Sequence, residues 1–256
     1  MLVYNVLARF SLSQGGCMAS KESPPRWAIT SWSLHEQSGA EGEGLSAHKI
    51  VQGAIEIADA HGLKKLTFRR LGEHLGFGTM ATYRHISSKE ELILLMVDAA
   101  LGCPSAAMRD ASSWQSGLRL WAQAMSSRYQ VHPWLIDAPM NAIPMTPNRI
   151  LWLEYVLQIL DKTGLALQQL LDIALLLDGH IRSVVRNANQ LAKMMESDES
   201  PPSPTWLYGM LDEHTFPMTH QVLGAGALED NTEQDLGFGL ERIISGVEVL
   251  ADTSDS

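Results

Sequence analysis

The residues best placed to do chemistry lie in one short stretch. Between Lys64 and Lys89 stand Lys64, Lys65, Arg69, Arg70, Arg84 and Lys89, with Glu73 as the one acid and His74 and His85 in addition. This local balance is positive, whereas the 256-residue chain carries a formal net charge of -10. A basic stripe inside an acidic protein is a localised footprint for a polyanion. Lysine and threonine at its edges suit phosphate oxygens. An arginine can take either a phosphate or the O6/N7 edge of guanine. A solvated helical face is the competing account, but it leaves unexplained why the charges coincide with a turn signal.

That turn signal defines the elements that must hold these groups. Thr67 is an N-cap candidate, its hydroxyl free to accept from first-turn N–H groups. Leu71 and Leu75 share one face of the helix that follows. Gly76 comes directly after Leu75, where a left-handed residue ends a helix. A second short helix is expected over Thr79–Tyr83. Two short helices around a glycine turn form the helix-turn-helix, whose second helix enters the DNA major groove. Thr79, Met80, Ala81 and Arg84 are then the groove candidates, and Arg84 serves guanine or phosphate equally well. Thr67 and Arg69 approach one phosphate wall, and Lys89 the other. Packing explains Met80 and Tyr83 as well as DNA contact does.

The segment LTFRRLGEHLGFGTMATYRHISSKEEL resembles the DNA-binding domain of the tetracycline-repressor (TetR) family. Leu75, Gly76, Tyr83, His85, Lys89 and Leu92 carry the spacing. The resemblance begins near Leu45 and continues, more weakly, to the C-terminus. It implies backbone contacts from the polar tips of Tyr83 and His85.

Composition fits a helical regulator. Hydrophobic residues make up 45% of the chain and charged residues 19%. Leu/Ala-rich segments predominate over alternating strand patterns, so the fold class is all-α. Cys17 and Cys103 are too few and too far apart for a disulfide framework or a paired-Cys metal site, which suits a reducing cytoplasm. No apolar run reaches the roughly 20 residues that span a bilayer, so no membrane role is expected. Neither a Gly-rich phosphate loop, a nucleophile elbow nor an HExxH motif is present. No catalytic residue, metal site or cofactor is therefore expected. His214 and His220 lack helical ligand spacing and read as surface loop.

Three regions follow. Residues 1–44 read as a flexible extension broken by Pro24, Pro25, Gly39, Gly42 and Gly44. Its Arg9, Lys21 and Arg26 could add phosphate contacts, against four acids nearby. Residues 45–101 form an N-terminal three-helix helix-turn-helix domain. Ser46 caps its first helix, with Ile50, Ala54, Ile57 and Ala58 inward. Ser88 and Glu91 make a capping box for its last, where Leu92, Leu95, Met96 and Ala99 are expected inward. Residues 102–256 form a larger helical ligand-binding and dimerisation domain. Its helices are expected from Ser113, from Thr146-Pro147 (with Leu151, Tyr155 and Ile159), over Gln168–Met195 (Leu171, Leu175, Asp178, Arg182 and Val185 on one face) and over Glu233–Ala251.

A recognition helix this short reads few base pairs, so tight binding calls for a homodimer on a near-palindrome. The seam Leu236, Leu240, Ile243, Val247 and Leu250 on the last helix, with Ile181, is the expected dimer surface; burial within one subunit is the alternative. The family resemblance implies an effector pocket lined by Trp114, Trp121, Met125, Tyr129, Trp134, Trp152 and Tyr155, with Asp178, His180 and Arg182 as polar groups. Ordinary core packing is the alternative for each aromatic residue. No residues match the His and Glu that hold magnesium-tetracycline, so another small hydrophobic or aromatic effector is expected. The expected function is a ligand-responsive regulator of transcription, most simply a repressor released by its effector. An activator of the same fold, or a helical enzyme or interaction protein without DNA binding, are the alternatives.

Overall fold

The structure is a computed structural model and describes residues 24–36, 44–138, 146–196, 205–225 and 232–254. Among these residues it is all-helical. Helix α1 (Arg26–Glu36) precedes the helix-turn-helix domain, which comprises α2 (Ala47–His61), α3 (Phe68–Leu75), α4 (Thr79–His85) and α5 (Lys89–Leu101). The larger domain contains α6 (Trp114–Val131), α7 (Pro147–Asp161), α8 (Leu167–Glu196), α9 (Thr205–Met210), α10 (Pro217–Gly224) and α11 (Thr232–Ser254). No described helix is long and apolar enough to cross a membrane.

Local chemistry sets the boundaries of the DNA-binding helices. The side chains of Ser46, Thr67 and Ser88 accept from the backbone N–H of Lys49, Arg70 and Glu91, capping α2, α3 and α5. Gly76 ends α3 in the left-handed conformation, φ 72°, which costs a glycine nothing. Gly72 is needed for another reason: a Cβ there would lie 2.7 Å from the carbonyl oxygen of Phe77. The absent side chain lets α3 and the turn meet. Ile50, Ala54, Leu66, Leu71, Ile86 and Met96 close a core beneath them.

Several expectations change. Residues 26–36 of the supposed flexible extension form α1, which packs on α5 and α7. Cys17 and residues 139–145 lie outside the described residues. Glu91 does not close the box on Ser88; its carboxylate accepts from the N–H and hydroxyl of Ser87. Ala99 is exposed, because α5 turns that side away from both domains. On α7 the buried positions are Trp152, Val156, Ile159 and Leu160, with Leu151 and Tyr155 only half-buried. On α8 the inner stripe is Leu170, Ile173, Ala174, Leu177, Ile181 and Val185, while Leu175 faces out.

Helix α5 is held at the head of α7. Thr146 makes no side-chain capping bond. Instead Asp98, from the last turn of α5, accepts from the backbone N–H of Asn148 at 2.8 Å and of Arg149 at 3.4 Å. Asn148 Nδ2 donates back to the Asp98 carbonyl and carboxylate at 3.0 and 3.2 Å. One side chain thus satisfies donors of another helix that would otherwise be buried without partners. Burial pushes the Asp98 carboxyl above the ordinary aspartate range, and these hydrogen bonds pull it back in part.

Gly72→Ala is expected to lower the unfolding free energy by about 1–3 kcal/mol, because the new methyl meets backbone and not a movable side chain. Urea unfolding checks this; an unchanged midpoint would contradict the close approach.

Candidate nucleic-acid interface and effector site

Helix α4 is built to show one face and bury the other. Thr82 is fully buried, and its hydroxyl donates to the Thr79 carbonyl at 2.6 Å. Met80 is 73% exposed and Tyr83 43% exposed. Of the two readings left open for Met80, packing does not hold, since α4 turns it to solvent. Tyr83 does both jobs, stacking on Phe68 at 4.2 Å between ring centroids while keeping an open edge. Thr79, Ala81 and His85 are half-buried, and Arg84 and Lys89 exposed.

The flanking groups are less free. Thr67 is exposed but its hydroxyl is engaged as the α3 cap. Arg69 lies 3.6 Å from Glu73, both side chains open to solvent, a pairing that phosphate can replace at little cost. His74 Nε2 meets Glu56 at 2.8 Å and braces α3 on α2. The structure thus puts Met80, Tyr83, Arg84 and Lys89 on the accessible surface of the helix-turn-helix and its exit.

The effector candidates divide. Trp121, Met125, Tyr129 and Trp152 are buried in the core of the larger domain. Trp121 and Trp152 meet edge to face, with centroids 5.9 Å apart. Trp121 Nε1 donates to the Trp152 carbonyl at 3.0 Å, and Trp152 Nε1 to the Gly102 carbonyl at 2.9 Å, just past the end of α5. Beside them Tyr129 donates its hydroxyl proton to Asp178 at 2.9 Å, and Arg182 Nε donates to the same carboxylate at 2.7 Å. The Arg182 guanidinium lies over the Tyr129 ring, 4.9 Å from its centroid. Burial, then the Asp178 charge, push the Tyr129 phenol well up. Burial first, and repulsion from Arg182 second, pull Arg149 down to about 10.

Three candidates stand apart from this cluster. Trp134 points to the DNA-binding domain: its Nε1 donates to Asp59 of α2 at 2.7 Å, with His132 Nδ1 on the same oxygen at 2.8 Å. Tyr155 is half-buried under the Arg109 guanidinium, 5.3 Å away. Trp114 is half-buried at the start of α6. His180 approaches the Leu236 carbonyl at 3.3 Å and joins α8 to α11. Two clefts described in the chain, one beside Pro133 and Arg186 and one beside Arg26 and Ser88, are lined by none of the aromatic candidates.

The residues of the expected dimer seam divide between core and part-buried positions. Ile181, Leu240 and Val247 are buried within the single chain, and Leu236, Ile243 and Leu250 pack against the same core. An apolar stripe must be covered, and α8 with α6 already covers this one. Arg119 fixes α11 further with two 2.7 Å bonds to Glu241. The outward apolar residues include Leu167, Leu175, Leu176 and Met194 on α8, and Phe238 and Val249 on α11. His220 stacks on Tyr208 at 4.1 Å, and among the described residues no His, Cys, Asp and Glu side chains group as a metal site.

Sequence reasoning missed Asp59, Asp98 and Arg149. Asp98 carried a signal, an acid within the apolar run Leu92–Leu101. Asp59 carried none, because its partners come from a distant turn.

These features define a helix-turn-helix domain joined to a larger helical domain, and comparison with known proteins places that arrangement. Residues 108–251, more than half of the chain, match the family described as tetracyclin repressor-like, C-terminal domain. The chain is 30% identical to the HTH-type transcriptional repressor DrrR1 of Streptomyces coeruleorubidus, over 80% of this chain and 78% of that protein. Apo ActR from Streptomyces coelicolor shares the fold, with a TM-score of 0.72 at 22% identity, over 84% of this chain and 100% of ActR. ActR in complex with actinorhodin superposes with a TM-score of 0.67 at 23% identity, over 81% of this chain and 99% of that one. The chain belongs to the tetracycline-repressor family of transcriptional regulators.

Lys89→Ala is expected to weaken DNA binding alike on all sequences and to lower the salt slope of the binding constant by about one unit. Anisotropy titrations across a salt series measure both. An unchanged slope would remove Lys89 from the phosphate contacts.

Proposed function

We propose that the chain is a homodimeric transcriptional repressor that binds a near-palindromic operator and leaves it when a small effector enters the core. The observation that carries this reading is α4: buried at Thr82, open at Met80, Tyr83 and Arg84, and followed at once by the exposed Lys89. Seven residues of helix span about 10 Å, enough for a few base pairs. A second half-site about 34–36 Å away then supplies the missing affinity. The name of the relative DrrR1 favours repression over activation. In this reading the chain is a binding protein, not an enzyme, and works in the cytoplasm beside its DNA.

A second copy best accounts for the outward face of α11. Phe238 is 70% exposed and Val249 65% exposed, on a face whose other members include Ser245. Apolar side chains at helical spacing, with a small residue between, suit a close helix–helix contact. This face takes the place of the seam first expected from the sequence.

The effector reading rests on the Trp121–Trp152 pair and its neighbours, and on the ligand complex of the ActR neighbour. A flat hydrophobic molecule suits the aromatic side chains. Its entry must open the packed cluster, and Trp152 is bonded to the carbonyl just beyond α5. Displacing Trp152 therefore acts on the helix that carries α4. A shift in the spacing of two recognition helices then loses the fit to successive grooves, and coupling of roughly 1–3 kcal/mol is typical of such switches.

The test combines assembly with binding. Phe238→Asp is expected to yield monomers in sedimentation and a sharp loss of affinity for a genomic fragment selected by the wild-type chain. The charge would meet an apolar partner surface without compensation. A dimer of unchanged stability would move the interface off this face.

A further inference from the structure

Helix α1 lies along the linking helix and is fastened to it at several levels. Arg26 Nη2 donates to the Arg84 carbonyl at 3.4 Å, in the last turn of α4. One turn later, Thr30 Oγ1 lies 3.5 Å from Glu91 while its proton goes to the Arg26 carbonyl at 3.0 Å. At the far end, His35 is within electrostatic reach of Asp98. The contacts advance in the same direction on both sides, so α1 and α5 run side by side and parallel. Ser31 is buried and Leu34 packs against the core, which sets the rotation of α1 about its axis. Whatever carries α5 also carries the Arg26 charge.

That charge stands at the DNA-reading end. Arg26 is exposed, and its contact falls on a helix C-terminal carbonyl, where a cation is favoured by the helix dipole. The bond uses one donor of a five-donor fork. Glu91 is occupied by the N–H and hydroxyl of Ser87. Glu90 lines the same cleft, but the N–H of its own residue and the Ser88 hydroxyl hold its carboxylate. With Arg84 beside it and Lys89 opening α5, Arg26 completes a group of three cations at the exit of the recognition helix.

We propose that α1 is part of the DNA-binding apparatus and that Arg26 contacts an operator phosphate outside the helix-turn-helix. This rests on the DNA-binding reading above. Operator phosphate, and not a protein partner, fits because the cations border the face that meets the duplex and a guanidinium matches phosphate geometry.

The experiment uses the full chain and a duplex recovered by selection from a random-sequence DNA library. Binding of wild type, Arg26→Ala and Arg26→Lys is followed by fluorescence anisotropy from low to high salt, with thermal melts alongside. Arg26→Ala is expected to melt as wild type does, to bind several-fold more weakly near physiological salt, and to lower the salt slope by about one unit. Arg26→Lys, which keeps the charge, is expected to keep the slope. Unchanged affinity overturns the proposal. So does a loss of affinity at unchanged slope, which would mean that Arg26 only packs. If the wild-type chain selects no duplex, the DNA-binding reading fails and the Arg26 contact with it. If wild type binds and Lys89→Ala shows its expected slope while Arg26→Ala matches wild type, only the present inference falls.

Discussion

A carboxylate on one helix caps the start of another, and the two functional halves of the chain meet through that contact. Asp98 sits in the last turn of α5 and accepts from the first free N–H groups of α7. A helix head leaves its leading donors unsatisfied, and a buried one needs an acceptor from somewhere. Thr146 stands at the usual capping position without providing it. The core of the larger domain therefore depends on a residue of the DNA-binding domain's last helix. That dependence is directional: hydrogen bonds of about 2.8–3.2 Å tolerate little sliding before they fail.

Two further polar contacts share this logic. Trp152 donates to the Gly102 carbonyl just past the end of α5. Asp59 of α2 accepts from Trp134 and His132 of the turn after α6. Apolar contacts between domains can slip by fractions of an ångström, whereas these bonds exist in one register or not at all. Such a junction has discrete states, and a ligand can act on it only by preferring one of them. The aromatic cluster ends on one of these bonds and the recognition helix hangs from the same α5. Helix α1 adds a rail along α5 from Arg84 to the neighbourhood of Asp98.

The local parts of this design were legible in the sequence. Ser46, Thr67, Ser88 and Gly76 mark their helix ends by chemistry that acts within a turn, and each does so in the fold. The stretch around Tyr83, His85 and Lys89 identified the DNA-binding unit for the same reason. What a face packs against was not legible. The stripe Leu240–Val247 read first as a dimer seam, with internal core as the alternative, and the position of α8 puts Leu240 and Val247 in the core. Trp134 carried the same ambiguity; its indole serves the domain junction and not the aromatic cluster. Prolines and glycines before Leu45 hid α1, whose stability comes from tertiary contact with α5 and α7. Asp98 was visible as an acid in an apolar helix, but its role needed the partner helix to be in place.

The measurement that bears most directly on the central claim is hydrogen exchange at the backbone amides of Asn148 and Arg149, resolved by residue. Both lie in the first turn of α7, where no intrahelical acceptor exists, so their protection reports the Asp98 contact. In the wild-type chain both amides are expected to exchange slowly, and more slowly still when operator DNA is bound. In Asp98→Ala that protection should vanish while amides in the middle of α7 keep theirs. Protection that survives the substitution, or that is indifferent to operator, would contradict the account.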